Sequence, residues 1–205
     1  MKKIMFDNHY GLEDAVLNGT KTMTRRIIKG RFEDVKAYHA NGGWHFIADT
    51  EDGDSIELKP HYETCEIVAI AQSYHTLNKS GFVAPEWLDH TCESSAGYKN
   101  KMFVRADLMP HQIQITDVRV ERLQDITDED CMKEGIYAHT VDLDETPGVH
   151  PYTSYAYDAR VGSNIKRWWY ETPREAFHQL ICKLSGKNVW IENPYVFVYS
   201  FKLIQ

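Results

Sequence analysis

Between Gly19 and Arg26 the chain reads Gly-Thr-Lys-Thr-Met-Thr-Arg-Arg, three hydroxyls and three cations in eight positions. Hydroxyls both donate and accept hydrogen bonds and the cations supply charge-assisted donors, so such a segment suits an oxyanion or a nucleoside. Lys29 and Arg31 extend the basic run, and no acidic residue occurs between Asp14 and Glu33. In a regular strand Lys21, Met23 and Arg25 would point one way and Thr22, Thr24 and Arg26 the other, because the side-chain period is two. For Lys21 and Thr24 to act on one substrate, the chain is expected to turn between them. The plainer reading is a solvated basic loop, since charge runs usually face water.

The elements around the segment follow from periodicity. Leu12, Ala15 and Val16 share one face of a short helix that closes at Asn18-Gly19, where positive φ caps the last carbonyls. Trp44 to Ala48 and Ser55 to Leu58 read as an acidic surface hairpin around Asp52-Gly53. Glu66 to Ser73 is almost uniformly apolar, as a strand buried on both faces should be. Residues 75 to 100 hold no sustained period apart from a short turn at Pro85 to Leu88, and strand character resumes at Met102 to Ala106. Ile113 to Leu123 forms a long strand whose alternation changes phase near Thr116-Asp117, the mark of a bulge. Thr127 caps a helix of two turns at most, stopped by Gly135. Tyr137 to Tyr170 reads as an irregular stretch placed to cover a site. Thr172-Pro-Arg-Glu175 is a capping box, and Phe177, Leu180, Ile181 and Leu184 form the stripe of the helix that follows. Tyr195 to Ile204 closes the chain as an aromatic and β-branched strand. Strands outnumber helices without β-α alternation. That pattern predicts an α+β fold, a mostly antiparallel sheet or small β-barrel with peripheral α-helices.

Composition narrows the partners. A chain of 205 residues is expected to form one domain. The balance of 30 acids against 23 cations gives −7, which disfavours double-stranded DNA as a partner, because that contact displaces counterions with many cations. The apolar residues after Lys2 and Lys3 are broken at Asp7, and no run reaches the ~20 residues of a membrane span, so no membrane association is expected. Cys65, Cys92, Cys131 and Cys182 are widely spaced, consistent with reduced thiols and a cytoplasmic location. The histidines fall in no ligand spacing, so neither metal nor organic cofactor is expected.

The G-x-K-T-x-T-R-R element, the Tyr62-x-x-x-Glu66 approach to a buried strand, Glu134-Gly135 after a short helix and Asn193-Pro194-Tyr195 before an aromatic strand together resemble the ASCH domain, a PUA-like β-barrel family. The order of motifs resembles that of longer members common in phages and prophages. The resemblance implies a single ASCH, PUA-like domain over residues 1–205 with insertions near 32–60, 75–100 and 137–170. It also implies binding of RNA or nucleotides. Some small bacterial members are amidohydrolases of N4-acetylcytidine that use a lysine and a threonine three apart in this motif, plus a glutamate after the long strand. Lys21, Thr24 and Glu134 occupy the matching places. Two positions depart from the pattern: Cys65 stands where glycine is frequent, and Gln72-Ser73 where arginine and glutamate are.

Two functions follow from that resemblance. In the enzymatic one, Thr24 attacks an acyl carbon on a cytidine-like base, Lys21 takes its proton, and Glu134 orients the lysine or activates water. Thr22, Arg25 and Arg26 then bind the substrate, with Arg26 on the oxyanion or the pyrimidine carbonyl; the alternative for Arg25 is simply to neutralise acids elsewhere. In the alternative the same pocket binds a modified nucleoside or short single-stranded RNA without catalysis, an aromatic such as Tyr74, Trp190 or Tyr199 stacking on a base. The acidic surface outside residues 20 to 31 favours the small substrate.

Overall fold

The computed structural model describes residues 1–40, 43–79, 93–141, 152–161 and 164–204. Its organising strand is the last one. In β11 (Tyr195–Leu203), Val196 and Val198 are fully buried on one face and Tyr199 and Phe201 nearly so on the other. Burial on both faces requires neighbours on both sides, and β11 pairs antiparallel with β7 (Gln112–Arg122) and with β2 (Met23–Ile27). β6 (Ile67–Ile70) pairs antiparallel with β7, and β1 (Lys2–Ile4) lies parallel to β6. The sheet order is β1-β6-β7-β11-β2. Opposite Ser200 and Phe201 the register jumps from Asp117 to Ile115, leaving Thr116 as the extra residue of the expected bulge.

The sheet does not close into a barrel among the described residues: β1 and β2 remain its two edges. β1 is only three residues long, so there is too little ladder to bridge the gap. A side chain spans the seam instead, with Arg26 Nη2 donating to the Met5 carbonyl at 2.7 Å. The α+β class holds; the closed barrel is corrected to an open, mixed sheet.

Two smaller antiparallel sheets flank it. β3 (Phe32–Ala40), β4 (Gly43–Thr50) and β5 (Ser55–Leu58) form one, in which the expected β4–β5 hairpin gains an unforeseen partner, β3. Phe46 turns inward from β4 and meets Phe197 edge-on at 5.4 Å between ring centroids. The other consists of β8 (Tyr137–Val141), β9 (Tyr152–Val161) and β10 (Asn164–Tyr170), where an irregular stretch was expected. Its strands carry serine, aspartate and arginine on the wet face, which hid the alternation. On the dry face Tyr157 stacks on Trp168 and Tyr170. Residues 142–151 of that stretch lie outside the described residues.

Helices close the ends. α1 (Leu12–Leu17) ends with Asn18 and with Gly19 at φ 75, as expected. α2 (Tyr74–Lys79) covers a small cluster with Leu77, Val104 and Met109; the turn expected at Pro85 to Leu88 lies outside the described residues. The strand expected at Met102 to Ala106 is instead two 3-10 turns, Lys101–Phe103 and Ala106–Leu108. The Asn100 side chain accepts from Met102 N and starts the first turn, and Met102 and Phe103 are left exposed. α3 (Asp128–Lys133) is capped by Thr127, whose hydroxyl accepts from Asp130 N. α4 (Pro173–Ser185) begins with the Thr172 cap and buries Phe177, Leu180 and Ile181; Leu184 is exposed, so the stripe ends one turn earlier than expected. α5 (Val189–Glu192) leads into β11. Among the described residues no helix is long and apolar enough to cross a membrane.

Candidate functional site

The end of α1 aims Lys21. Thr20 N and Lys21 N both donate to the Ala15 carbonyl at 2.9 Å, wrapping the chain around the helix terminus. Thr22 N then bonds the Lys133 carbonyl at 2.9 Å, and Phe201 N bonds the Thr22 carbonyl at 2.8 Å. The segment is thus fixed between α3 and β11, with Lys21 against the C-terminal end of α3. Gly135, at φ 102, makes room for it: a β-carbon there would stand 3.6 Å from Lys21 Cδ and 3.3 Å from Leu12.

Lys21 Nζ donates to Glu134 Oε2 at 2.6 Å and to the Glu134 carbonyl at 2.7 Å. The lysine side chain is 2% exposed and the glutamate 6%, so water screens neither. Burial pushes the Lys21 ammonium below its ordinary range, Arg26 and Arg25 push the same way, and Glu134 opposes them. The end of a short helix, with its unsatisfied carbonyls, is a favourable place for a cation.

Arg25 follows the strand parity and reaches the same carboxylate, Nη1 to Glu134 Oε1 at 3.0 Å. Its other donors go to Glu121 Oε1 at 3.0 and 2.6 Å, Asp130 Oδ2 at 3.2 Å and Met23 Sδ at 3.4 Å. A guanidinium has five N–H groups, and all five are engaged. Arg25 therefore holds Glu134 and neutralises the carboxylates around it, the second of the two roles expected for it. Arg119 pairs with Glu121 and Asp130 at the rim, so three cations (Lys21, Arg25, Arg119) face three carboxylates (Glu121, Asp130, Glu134).

Thr24 and Arg26 leave β2 on the opposite side, and the cleft gathers them in. A cavity of about 280 Å³ is lined by Lys21, Thr24, Arg25, Arg26, Lys101 and Glu134 against an apolar wall of Phe6, Leu12, Phe177 and Leu180. β2 is an edge strand, and a cleft at a free edge meets side chains from both faces of the sheet. No turn between Lys21 and Thr24 is needed, contrary to the expectation. Thr24 is 6% exposed, and among the described residues no protein hydrogen bond holds its hydroxyl. Arg26 is exposed and, beyond Met5, has no carboxylate partner among the described residues. Thr22, expected to bind the substrate, is not among the residues that line the cleft; its backbone stitches α3 to β11.

Sequence reasoning missed Lys101. Its ammonium is held by the Phe6 carbonyl, Asn8 Oδ1 and, at 2.8 Å, Glu13 Oε2. Glu13 Oε1 in turn accepts from Gln72 Nε2 at 3.2 Å, and Gln72 Oε1 lies 2.7 Å from His111 Nδ1. Only the odd acid on the buried face of α1 hinted at such a chain. The aromatics considered for stacking are engaged elsewhere. The Tyr74 hydroxyl accepts from Arg105 N, Tyr199 is buried and accepts from His61 N, and Trp190 is stacked by His178. Among the described residues no three His, Cys, Asp or Glu side chains form a set able to hold a metal ion.

Compared with protein-family models, curated proteins and solved structures, the chain gives no match.

Proposed function

We propose that the chain is a modified-nucleoside amidohydrolase that removes an acyl group from a cytidine-like base in the cleft of Lys21, Thr24, Arg26 and Glu134. The ASCH, PUA-like likeness stands as part of this proposal, with Arg26 bridging the two open edges of the sheet in place of barrel closure. One observation carries the reading. A buried lysine, its proton affinity lowered, shares a small cleft with a threonine hydroxyl that no described residue holds. A threonine hydroxyl is a weak nucleophile and needs an adjacent base.

The chemistry then runs as an acyl transfer. Thr24 Oγ1 attacks the acyl carbon as its proton passes to neutral Lys21 Nζ, and Arg26 steadies the oxyanion. The carbon–nitrogen bond breaks, and the departing exocyclic nitrogen takes the proton back from Lys21, leaving an ester on Thr24. Water attacks the ester, giving up a proton to Lys21 or Glu134, and the carboxylic acid leaves as Thr24 regains its hydrogen. Glu134, held by Lys21 and Arg25 on its two oxygens, fixes the lysine in the wall of the cleft that Thr24 also lines.

A second reading, binding without catalysis, draws on the 2.6 Å ion pair, which favours the protonated and hence non-basic form of Lys21. Chromatographic assay of N4-acetylcytidine with the wild type, Lys21→Met and Thr24→Val decides between them. Turnover in the wild type that is lost in both variants supports the hydrolase. Nucleoside binding without turnover, on folded protein, replaces it with the binding module.

A further inference from the structure

Burial orders the lining of the cleft from floor to mouth. Lys21, Thr24, Arg25 and Glu134 are buried, as are the rings of Phe6 and Phe177 beside them. Two apolar residues of the same lining are not: Met5 is 39% exposed and Leu184 37%. Single exposed apolar side chains are ordinary on a protein surface. These two, by contrast, come from different elements and share the rim of one small cleft whose polar groups lie deeper. Leu184 continues the stripe of Phe177, Leu180 and Ile181 past the point where the protein covers it, and there it borders the cleft.

Both side chains stand on fixed backbone. Arg26 Nη2 donates to the Met5 carbonyl at 2.7 Å, and Lys101 Nζ donates to the next carbonyl, that of Phe6. Asp7 ties the segment onward to α1: its carboxylate accepts from His9 N at 2.7 Å and its carbonyl from Leu12 N at 3.0 Å. Leu184 belongs to the last turn of α4, which Gly186 N closes on the Cys182 carbonyl at 3.1 Å. A rim ordered in advance loses little conformational freedom when a ligand enters.

The shape of the substrate then places its ring. In an N4-acylated cytidine the acyl group and the sugar leave the pyrimidine at opposite ends. An acyl carbon delivered to Thr24 at the floor therefore brings the ring to the mouth and leaves the sugar outermost. We infer that Met5 and Leu184 are specificity-determining residues that clamp the two faces of the pyrimidine ring at the mouth of the cleft. The inference rests on the nucleoside reading of the cleft and names what holds the base there. Tyr74, Trp190 and Tyr199 are engaged elsewhere, so aliphatic and thioether surface takes the place of aromatic stacking. A flat ring suits such a clamp, because it offers two faces to apolar side chains and a thioether packs favourably against an aromatic ring.

Calorimetric titration with cytidine, beside steady-state turnover of N4-acetylcytidine, tests this. The wild type is compared with Met5→Ala and Leu184→Ala, and with Met102→Ala and Ile191→Ala, which trim exposed apolar side chains off the cleft. Loss of one apolar contact surface should weaken cytidine binding and raise KM by about 5- to 20-fold in each clamp variant. A contact made alike in the ground and transition states lowers KM alone, so kcat should stay within about twofold. Met5→Leu and Leu184→Met keep the apolar surface and should bring both values back near the wild type, while the off-cleft variants should leave them unchanged. Unchanged cytidine affinity and KM in both clamp variants, a loss confined to kcat, or an equal loss off the cleft overturns the clamp. Weakened cytidine binding in the clamp variants of a protein that turns over no N4-acetylcytidine sinks the hydrolase and leaves the clamp. Turnover with KM unmoved by either clamp variant sinks the clamp alone, and a wild type that neither binds cytidine nor turns over the acylated nucleoside sinks both.

Discussion

Two lysines on the cleft wall, Lys21 and Lys101, are each paired with a glutamate, and the pairs differ in what surrounds them. Lys21–Glu134 is closed off: the lysine is 2% exposed, Arg25 holds the second carboxylate oxygen, and the nearest other charges are cations. Lys101–Glu13 has an equally buried carboxylate, yet its lysine is 21% exposed and the second oxygen meets the neutral Gln72 amide. The same two residue types thus give a lysine whose proton affinity is lowered by burial in one place and a tether between β1's exit and α1 in the other. Residue identity chooses the pair, but its surroundings choose the chemistry.

The largest separation between the two is expected in stability. Glu134→Ala strands Lys21 as a buried cation, removes one of the three carboxylates around Arg25, and should cost about 3–5 kcal/mol, the usual penalty for removing one partner of a buried pair. Glu13→Ala leaves Lys101 able to reach water and should cost about 1–3 kcal/mol, the range for an orphaned buried hydrogen-bonding group. Urea unfolding midpoints read the difference, and equal losses would erase the distinction. In turnover, Lys21→Met should lose roughly 100- to 10,000-fold in kcat, the range of a general base. Lys101→Met should act mainly on KM, because its ammonium is engaged with Phe6, Asn8 and Glu13.

The pH dependence sharpens the same contrast. In the proposed mechanism neutral Lys21 is the active form, so kcat/KM should rise with pH through its lowered value. Arg26→Gln removes one of the cations that lower it and should shift that limb to higher pH. A shift to lower pH would show that another group titrates. Stability responds with the same sign. Between the lowered folded value and the ordinary ~10.4 the unfolded chain binds the extra proton, so Lys21's contribution to stability increases with pH across that window. Below the window both states are charged and the burial penalty is felt in full. Lys21→Met should flatten this rise in thermal melts taken at a series of pH values.

Much of the frame that holds the pair was legible in the residues. The Thr127 and Thr172 caps, the Gly19 and Gly135 stops and the bulge near Thr116 are local signals, and local hydrogen bonding settles them. Lys21, Thr24, Arg26 and Glu134 line one cleft. What was not legible depends on distant partners. For Arg25 both substrate binding and the neutralising of acids were open, because sequence cannot count the carboxylates, Glu121, Asp130 and Glu134, that converge on it from β7 and the end of α3. Lys101 was hidden in a stretch whose apolar neighbours suggested a strand, and its role exists only through Phe6, Asn8 and Glu13, some 90 residues away. The strands β8 to β10 were concealed by polar residues on one face, although Tyr157, Trp168 and Tyr170 held the signal on the other.

The smallest expected effect tests whether the closed pair depends on its helix. α3 has six residues, its start is fixed by the Thr127 hydroxyl, and Glu134 is its C-terminal cap residue. α1, which carries Glu13, begins at Gly11 with no side-chain cap, so nothing comparable can be removed there. Thr127→Ala should cost about 1 kcal/mol, the usual value of an N-cap, and lower Tm by about 2–4 °C for a chain of this size. A helix of under two turns has little cooperativity to absorb a frayed first turn, so the loosening should travel to its far end. There the Lys21–Glu134 geometry is set, and kcat should fall several-fold while KM changes little. A lowered Tm with unchanged kcat would place the rigidity of the pair in Arg25 and Gly135 instead, and would make the cap a purely structural device.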